Sequence, residues 1–318
     1  MSSIHDDVPG RCSSCEQLPD ATTALRRCSR CRTVAYCSNA CQTAHWPTHQ
    51  PSCKRPNYII EAWMCPGEIT NPAVKRTLSC PSTATFLELH YALQLAFGWT
   101  DTHDWDFCVK DRTYKPQKFN LLDHIRVSGI RDRRGLAELT GEDTSAYDAQ
   151  MAAEPRKFLL RLKSLPGMGY RRTEAYFGDE ARAHPRTSEK PANKLKLWQV
   201  LETEPYKGQE CIYNYDFGDN WDHHIKIKGR EAATSTFTCT GGEGARPFED
   251  AGGPQGWKEL KQGIRAGTCS ESQKFDMLNN GINLDSFNPN KFNAWSLEDV
   301  NAKLALWHAG ELQLNSQG

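Results

Sequence analysis

Residues 12–53 have the sequence CSSCEQLPDATTALRRCSRCRTVAYCSNACQTAHWPTHQPSC, which decides the fold of the amino-terminal part of the chain. Eight potential metal ligands follow one another in this window as four pairs: Cys12-x2-Cys15, Cys28-x2-Cys31, Cys37-x3-Cys41 and His49-x3-Cys53. Thiolate sulfur and imidazole nitrogen are the ligands that structural zinc prefers, and a tight turn or one helical turn brings such a pair to one ion. Eight ligands fill two closed sites, so the spacing predicts two zinc ions with a structural role.

Disulfide bonds are the main alternative for this window, because small cysteine-dense segments are also typical of secreted domains. The chain, however, begins with MSSIHDDVPG, which contains no apolar stretch of the kind that directs export. The set of seven cysteines is also completed by a histidine, which suits a metal site. We therefore expect reduced cysteines in an intracellular protein of the cytoplasm or the nucleus.

The ligand spacing resembles that of the MYND zinc finger, and the resemblance covers residues 12–53. It extends to the Tyr36-Cys37-Ser38 step, the Cys41-Gln42 pair and Trp46, three residues before His49. In that family the pairs interleave, which implies one ion on Cys12, Cys15, Cys37 and Cys41 and the other on Cys28, Cys31, His49 and Cys53. His45 is an alternative ligand because it lies four residues after Cys41, but the resemblance places a non-ligand there and favours His49.

The finger is expected to bind protein. A segment of about forty residues buries too little apolar surface to fold alone, so metal binding must supply its stability. It then presents a fixed surface and not a pocket, and MYND fingers are protein-binding units, often for short proline-containing peptides. Nucleic acid is disfavoured as a partner, because the whole chain balances 39 basic against 39 acidic residues.

The composition beyond the finger is that of a globular protein. The 318 residues leave room for one further domain of about 260 residues or for two smaller ones. Hydrophobic residues make up 38% of the chain and charged residues 25%, a balance that supports a packed core. No apolar run approaches the roughly 18 residues that span a bilayer, so no membrane association is expected. The composition does not indicate an oligomeric state.

The segment from 57 to 310 is interpreted as one α+β domain, in which helices pack a mixed or antiparallel sheet. Alternating apolar residues predict strands at 58–64, 74–79, 104–110, 157–163, 210–216 and 222–228. A capping box at Thr85 opens a helix that ends at Gly98, and further helices are predicted at 194–201, 257–266, 271–280 and 297–308. Residues 111–193 are interpreted as an insertion, with solvated or mobile stretches near 138–155 and 178–193.

Two segments of this larger part carry a specific pattern, namely residues 213–225, YNYDFGDNWDHHI, and residues 239–254, CTGGEGARPFEDAGGP. They resemble the plasmid pRiA4b ORF-3-like family, whose hallmark is a YDFGD-x-W-x-H strand pair followed by a Gly-rich P-x-ED-x-GG-P loop. Phe97-Gly98-Trp99 and His103 stand in matching places, whereas Arg246 and Phe248 depart from the family pattern. The resemblance covers about residues 58–308 outside the insertion, and it implies a domain type without implying a reaction.

The candidates for chemistry in the larger part are histidines and acidic residues near its hairpin. Asp216, Asp219, Asp222, His223 and His224 lie on or beside this hairpin, and strand alternation directs only part of them to one side. A common cleft could hold a divalent metal or an acid/base pair with a set of weak candidates: His103, Asp219, His223, Glu249 and Asp250. A structural role is favoured for each, because aspartate shapes tight turns and a buried histidine beside tryptophan usually belongs to the core. No catalytic residue is therefore assigned.

Two functions of different class follow from these patterns. The first is a zinc-binding scaffold protein, in which the finger recruits a protein partner and the larger domain supplies a second surface. The second is a metal-dependent hydrolase or nuclease that uses the His/Asp cluster, with the finger as a targeting device. The sequence leans towards the non-enzymatic function, because no nucleophile with a nearby base is recognisable.

Overall fold

The computed structural model describes residues 10–20, 24–65, 69–70, 72–115, 120–163, 184–286 and 295–314. The amino-terminal part forms a small unit with a two-stranded sheet, β1 (Arg26–Arg27) and β2 (Ala35–Tyr36), followed by helix α1 (Asn39–His49). Its buried cluster consists of four cysteines and Tyr36, so the metal ligands themselves form most of its interior. The rest of the chain folds around one large sheet, which confirms the predicted α+β class.

The large sheet has eight strands among the described residues. They are β3 (Asn57–Cys65), β4 (Lys75–Cys80), β5 (Trp105–Lys110), β6 (Phe158–Lys163), β7 (Ser188–Pro191), β8 (Cys211–Tyr215), β9 (Trp221–Glu231) and β10 (Thr238–Glu243). Their spatial order is β10-β4-β3-β9-β8-β5-β6-β7. All neighbouring pairs are antiparallel except β6 and β7, which are parallel. The sheet is therefore mixed, as predicted.

Seven further helices accompany this sheet in the described ranges. They are α2 (Phe86–Phe97), α3 (Leu121–Thr140), α4 (Ser145–Ala153), α5 (Leu197–Leu201), α6 (Gly253–Ala266), α7 (Glu271–Asn279) and α8 (Leu297–His308). Helix α2 is the central one, because ten of its twelve residues are buried. It begins at the predicted capping box, in which the side chain of each of Thr85 and Glu88 accepts a hydrogen bond from the backbone amide of the other. It ends at Gly98, which has a left-handed φ of 85°.

The stretch near 138–155, expected to be solvated or mobile, is mostly exposed but helical. Residues 121–140 and 145–153 form α3 and α4, which pack on each other, and their buried apolar residues include Ile130, Ala137 and Met151. Arg134 links the two helices, since its side chain pairs with Asp148 of α4 at 2.6 Å. The sequence obscured this hairpin because few of its residues are buried and most others are charged, a composition that also occurs in solvated segments.

The second such stretch, 178–193, contains a strand. Residues 178–183 lie outside the described residues, but Ser188–Pro191 form β7 in parallel with β6. A short polar edge strand has no alternating apolar pattern, so it could not be predicted from the sequence. None of the described helices is long and apolar enough to cross a membrane.

Strand β10 was also missed from the sequence, because its second half lies in the Gly241–Gly244 run. The strand pairs with β4, and two glycines of this region have no room for a side chain. A Cβ on Gly242 would lie 2.7 Å from the carbonyl oxygen of Lys75, and one on Gly244 would lie 2.4 Å from that of Ala73. The glycines therefore allow backbone to approach backbone at this sheet edge.

We expect Gly244→Ala to lower the free energy of unfolding by about 2 kcal/mol or more, because it combines a left-handed φ of 67° with a backbone clash. Gly267→Ala is the matched control, since its φ is 68° and nothing lies within 4 Å of the added Cβ. Urea unfolding of both variants, followed by tryptophan fluorescence, separates the clash from the φ strain. Equal losses in the two variants would contradict this account.

Candidate metal centres

The first metal centre of the finger is formed by Cys12, Cys15, Cys37 and Cys41, whose sulfur atoms all lie within 4.8 Å of one another. Cys15 Sγ lies 3.6 Å from Cys37 Sγ, which lies 3.5 Å from Cys41 Sγ. A disulfide would require a separation of about 2.05 Å, so these sulfurs are not bonded in pairs. Sulfurs bound to one tetrahedral zinc at about 2.3 Å each lie about 3.8 Å apart, which is close to the observed spacing.

Local backbone structure positions these four ligands. Cys12 and Cys15 lie in a tight turn in which the amide of Glu16 donates to the carbonyl of Cys12 at 2.9 Å. Cys41 lies in the first turn of α1, and its amide donates to the side chain of Ser38, the residue that caps this helix. The helix start thus brings Cys41 next to Cys37, as the spacing of three intervening residues predicts.

The second centre is formed by Cys28, Cys31, His49 and Cys53, and all four side chains are buried. Cys28 Sγ lies 3.7 Å from Cys53 Sγ, and Cys31 Sγ lies 3.3 Å from His49 Nε2. His49 is the last residue of α1, and a single 3-10 turn separates it from Cys53. Thr33 Oγ1 donates to Cys31 Sγ at 3.1 Å, a contact that orients this ligand from outside the centre.

His45 belongs to neither centre. Its Nδ1 lies 3.1 Å from the hydroxyl of Tyr36, and its ring stacks on that of His49 with the centroids 5.9 Å apart. The ring therefore supports the true ligand from the side instead of binding metal. His49 is the eighth ligand, as the sequence favoured.

Both donor sets fit zinc chemically. In the first centre the pKa of Cys37 is raised to about 12, because its thiol interacts with Cys41 and Cys15. In the second centre burial raises the pKa of Cys53 to about 12, and its contact with Cys28 acts in the same direction. The thiols of one centre differ in acidity, since the pKa of Cys12 is lowered to about 6 and that of Cys31 is lowered as well. Metal binding removes the remaining thiol protons, and zinc is the ion that mixed thiolate and imidazole sets prefer. The finger therefore fits two zinc ions.

The finger adjoins the large domain at Glu202, which follows α5. Arg55 donates to Glu202 Oε2 at 2.6 Å, and the hydroxyl of Tyr58 donates to Oε1 at 2.6 Å. Arg230 also pairs with Oε1, and Arg32 of the finger approaches Oε2 at 3.8 Å. A half-buried carboxylate among three arginines fixes the chain at the point where the finger meets the sheet.

In the large domain, His103 and Asp250 from the set of weak candidates lie together. His103 Nδ1 lies 3.6 Å from Asp216 Oδ2, and His103 Nε2 lies 3.7 Å from Asp250 Oδ1. One ligand atom from each of these three residues falls within 4.8 Å of the others. Asp216 was noted on the hairpin but left out of the candidate set, because its position after β8 gave no sign that it would face His103.

Asp219 lies close to this cluster. Its Oδ2 is buried and has no hydrogen-bond partner among the described residues. Burial raises the pKa of Asp219, and the charges of Asp216 and Asp250 act in the same direction, whereas backbone amides at Gly253 and Gly252 lower it. The carboxylate therefore lies at the start of α6 in a negatively charged neighbourhood.

The other two candidates have structural contacts. His223 is fully buried, donates from Nδ1 to the carbonyl of Tyr213 at 3.2 Å, and accepts at Nε2 from the indole of Trp99 at 3.4 Å. Glu249 accepts from the amide of Thr100 at 2.7 Å and from the hydroxyl of Tyr215 at 3.2 Å. The side chains of His223 and Glu249 are therefore engaged in hydrogen bonds within the fold and are not presented to a substrate.

The two residues that depart from the expected family pattern also serve the packing. Arg246 donates to the carbonyl of Gly98 at 2.6 Å and to Asn280 Oδ1 at 3.0 Å, and it lies over the ring of Trp99. Phe248 packs against Trp257 with the ring centroids 5.2 Å apart. Arg246 thus holds the Gly-rich loop against the end of α2, and Phe248 holds it against α6.

Known proteins match parts of the chain. A relative from Sinorhizobium fredii, "Uncharacterized protein y4hQ", is 25% identical over 202 residues, which cover 61% of this chain and 66% of that protein. "SET domain-containing protein 14" of Caenorhabditis elegans is 45% identical over 42 residues, or 13% of this chain and 10% of that protein. The chain thus spans just under two thirds of the first relative and a small part of the second.

One solved structure is a more distant match. It is the "Crystal Structure of Protein of Unknown Function MM3350 from Methanosarcina mazei Go1", with a TM-score of 0.45, 18% identity, and coverage of 77% of this chain and 96% of that one. Family models match the MYND finger at residues 12–53 and the plasmid pRiA4b ORF-3-like protein at residues 68–295. The chain therefore belongs to the plasmid pRiA4b ORF-3-like family and carries a MYND finger in front of that domain.

Proposed function

We propose that this protein is an intracellular adaptor whose finger binds a protein partner, while the large domain supplies a second surface. The observation that carries this proposal is that each finger centre is completed by four protein ligands. A closed centre leaves no coordination position for a substrate, so the metals shape a surface and do not catalyse a reaction. We further propose residues 12–53 and 57–310 as the two domains, with 111–193 as an insertion in the second.

A proline-containing segment is the partner chemistry that we propose for the finger. On α1, Gln42, His45 and Trp46 lie three and four residues apart and therefore share one face, and all three remain partly exposed. An aromatic side chain beside polar groups suits an extended proline-rich peptide, because such a peptide is already ordered before it binds. The cytoplasm or the nucleus fits this role, since both compartments keep zinc-binding thiols reduced.

We expect Trp46→Ala in the full chain to weaken binding to a proline-containing peptide by about tenfold or more, because buried tryptophans dominate such interfaces. The peptide is first selected by screening an array of proline-containing peptides, and its affinity is then measured by calorimetry. Thr43→Ala is the control, since Thr43 is exposed on the same helix. Zinc content shows whether the finger of each variant remains intact.

Deletion of residues 1–56 tests the wider role. We expect partners captured by the full chain to be lost when the finger is absent. Partners that stay unchanged on deletion would refute recruitment by the finger. Retained peptide binding in Trp46→Ala, with two zinc ions still present, would refute the proposed face of α1 while leaving the adaptor role intact.

A further inference from the structure

We propose that the large domain binds a third metal ion, a divalent first-row ion such as Mn²⁺ or Zn²⁺, through His103, Asp216 and Asp250. This site is separate from the two finger centres and goes beyond the adaptor role. Its ligand atoms come from three segments that are distant in sequence: the loop after α2, the residue after β8, and the end of the Gly-rich loop before α6.

The three side chains lie close together but do not form hydrogen bonds with one another. The separations of 3.6 Å and 3.7 Å between the imidazole and the two carboxylates exceed the range of a hydrogen bond, which ends at about 3.2 Å. All three ligand atoms nevertheless lie within 4.8 Å of one another. The ligand atoms of each finger centre lie within the same distance of one another.

Backbone contacts hold the carboxylate of Asp216 in place. Asp216 Oδ1 accepts from the amides of Gly218 and Asp219 at 2.9 and 3.2 Å, which leaves Oδ2 directed towards His103. Asp216 and Asp250 both adopt a left-handed φ, 61° and 57°, which is uncommon for residues other than glycine. The ring of His103 lies edge-on to that of Tyr215, with the centroids 5.7 Å apart.

The charge around the cluster is negative. Among the described residues, the ion pairs of Asp216 and Asp250 are those with His103. Asp219 adds a buried carboxylate oxygen without a hydrogen-bond partner in the described part of the chain. Asp276 lies nearby as well. Burial raises the pKa of Asp276, and the charge of Asp250 raises it further. Several carboxylates beside one imidazole attract a cation, and a divalent ion would relieve their mutual repulsion.

The donor set selects the class of ion. One imidazole with carboxylate oxygens and no thiolate suits Mn²⁺, Fe²⁺ or Zn²⁺ better than Mg²⁺ or Ca²⁺, which prefer oxygen ligands alone. Three protein ligands leave coordination positions to water or to a bound molecule, unlike the closed centres of the finger. The site is also reachable, because the side chain of Asp250 is 75% exposed.

The test is a titration of the zinc-loaded full chain with Mn²⁺, in which electron paramagnetic resonance measures the free ion. Asp250→Asn removes one ligand charge, and asparagine tolerates the left-handed backbone of this position, so the variant should fold normally. His103→Gln removes the imidazole. Asp132→Asn, on the exposed face of α3, is the matched control. Zinc content and melting temperature show whether each variant keeps its fold.

We expect the wild type and Asp132→Asn to bind one Mn²⁺ with equal affinity, and Asp250→Asn and His103→Gln to bind it about 10- to 100-fold more weakly. Two zinc ions should remain in every variant. A wild type that binds no Mn²⁺ or third zinc ion would overturn the proposal, and His103 would then bridge two carboxylates without metal. Equal Mn²⁺ affinity in the wild type and Asp250→Asn would overturn it too. Neither result affects the proposed role of the finger.

Discussion

Replacement of Cys28 by serine is expected to unfold residues 12–53 and to reduce the zinc content from two ions to one or fewer. The thiol of Cys28 is buried, and its sulfur lies 3.7 Å from that of Cys53 in the second centre. A serine hydroxyl is a poor zinc ligand at neutral pH, and structural zinc contributes about 10 kcal/mol or more to the folding of small fingers. The interior of the finger consists mainly of ligands, so little else would hold it together.

Loss of one centre should also disturb the other. The ligand pairs alternate along the chain, so the segment between Cys15 and Cys37 of the first centre contains Cys28 and Cys31 of the second. When Cys28 no longer binds zinc, the segment around it no longer holds the Cys12/Cys15 pair close to the Cys37/Cys41 pair. We therefore expect the zinc of the first centre to bind more weakly in this variant than in the wild type.

The large domain is expected to survive this substitution. Its buried cluster is separate from that of the finger and contains Trp221, Trp257 and the apolar face of α2. The measurements are zinc content by mass spectrometry and limited proteolysis, which should cut within residues 12–53 and spare the remainder. Ser29→Ala, at an exposed neighbouring position, should keep both ions. A Cys28→Ser protein with two ions and a protected finger would contradict the structural role of zinc.

The finger could be predicted from the sequence because its information is local. Each ligand pair is brought together by a turn or by the start or end of α1, so spacing alone indicates which side chains meet. The partition into two centres was implied by family resemblance, and the distances among the sulfur atoms agree with it. Spacing alone could not decide whether His45 is a ligand. The structure decides it, because His45 Nδ1 contacts the hydroxyl of Tyr36.

The cluster in the large domain could be predicted only in part, because it depends on contacts between distant segments. His103 and Asp250 were named, but their meeting with Asp216 depends on the antiparallel pairing of β5 with β8 and on the turn after Tyr215. Strand alternation correctly sent His223 and His224 to opposite sides of β9, yet it could not show which side faces the core. The position of α2 determines which side of β9 is buried, because Phe97 of this helix contacts the ring of His223.

His223 makes the stability of the large domain sensitive to acid. The carbonyl of Tyr213 can only accept, so Nδ1 carries a proton, and the indole of Trp99 can only donate, so Nε2 must stay unprotonated. Both neighbours thus require the neutral ring. Burial lowers the pKa of His223 from 6.5 to about 3, and the charge of Arg76 acts in the same direction. Protonation at Nε2 of His223 would place its hydrogen against the indole N–H of Trp99, so two donors would face each other inside the core.

The sign of the pH dependence follows from this lowered pKa. Between pH 6.5 and about 3 the unfolded chain takes up a proton at His223 and the folded chain does not, so the free energy of unfolding falls as the pH falls. The loss amounts to about 4 kcal/mol over this window and is absent above it. His90 is fully buried with a lowered pKa as well, and it adds to the loss in the same direction.

The variant His223→Asn isolates this contribution, because its amide can still donate to Tyr213 but cannot titrate. We expect it to be less stable than the wild type at pH 7 and to lose less stability between pH 6.5 and 4, so that the two curves converge in acid. Urea unfolding followed by tryptophan fluorescence reports on the large domain, because Trp99 and Trp221 lie near the ring. Ser29→Ala, at an exposed position of the finger, should leave the slope unchanged. Parallel curves for His223→Asn and the wild type would show that the buried ring titrates normally, which its two neighbours should prevent.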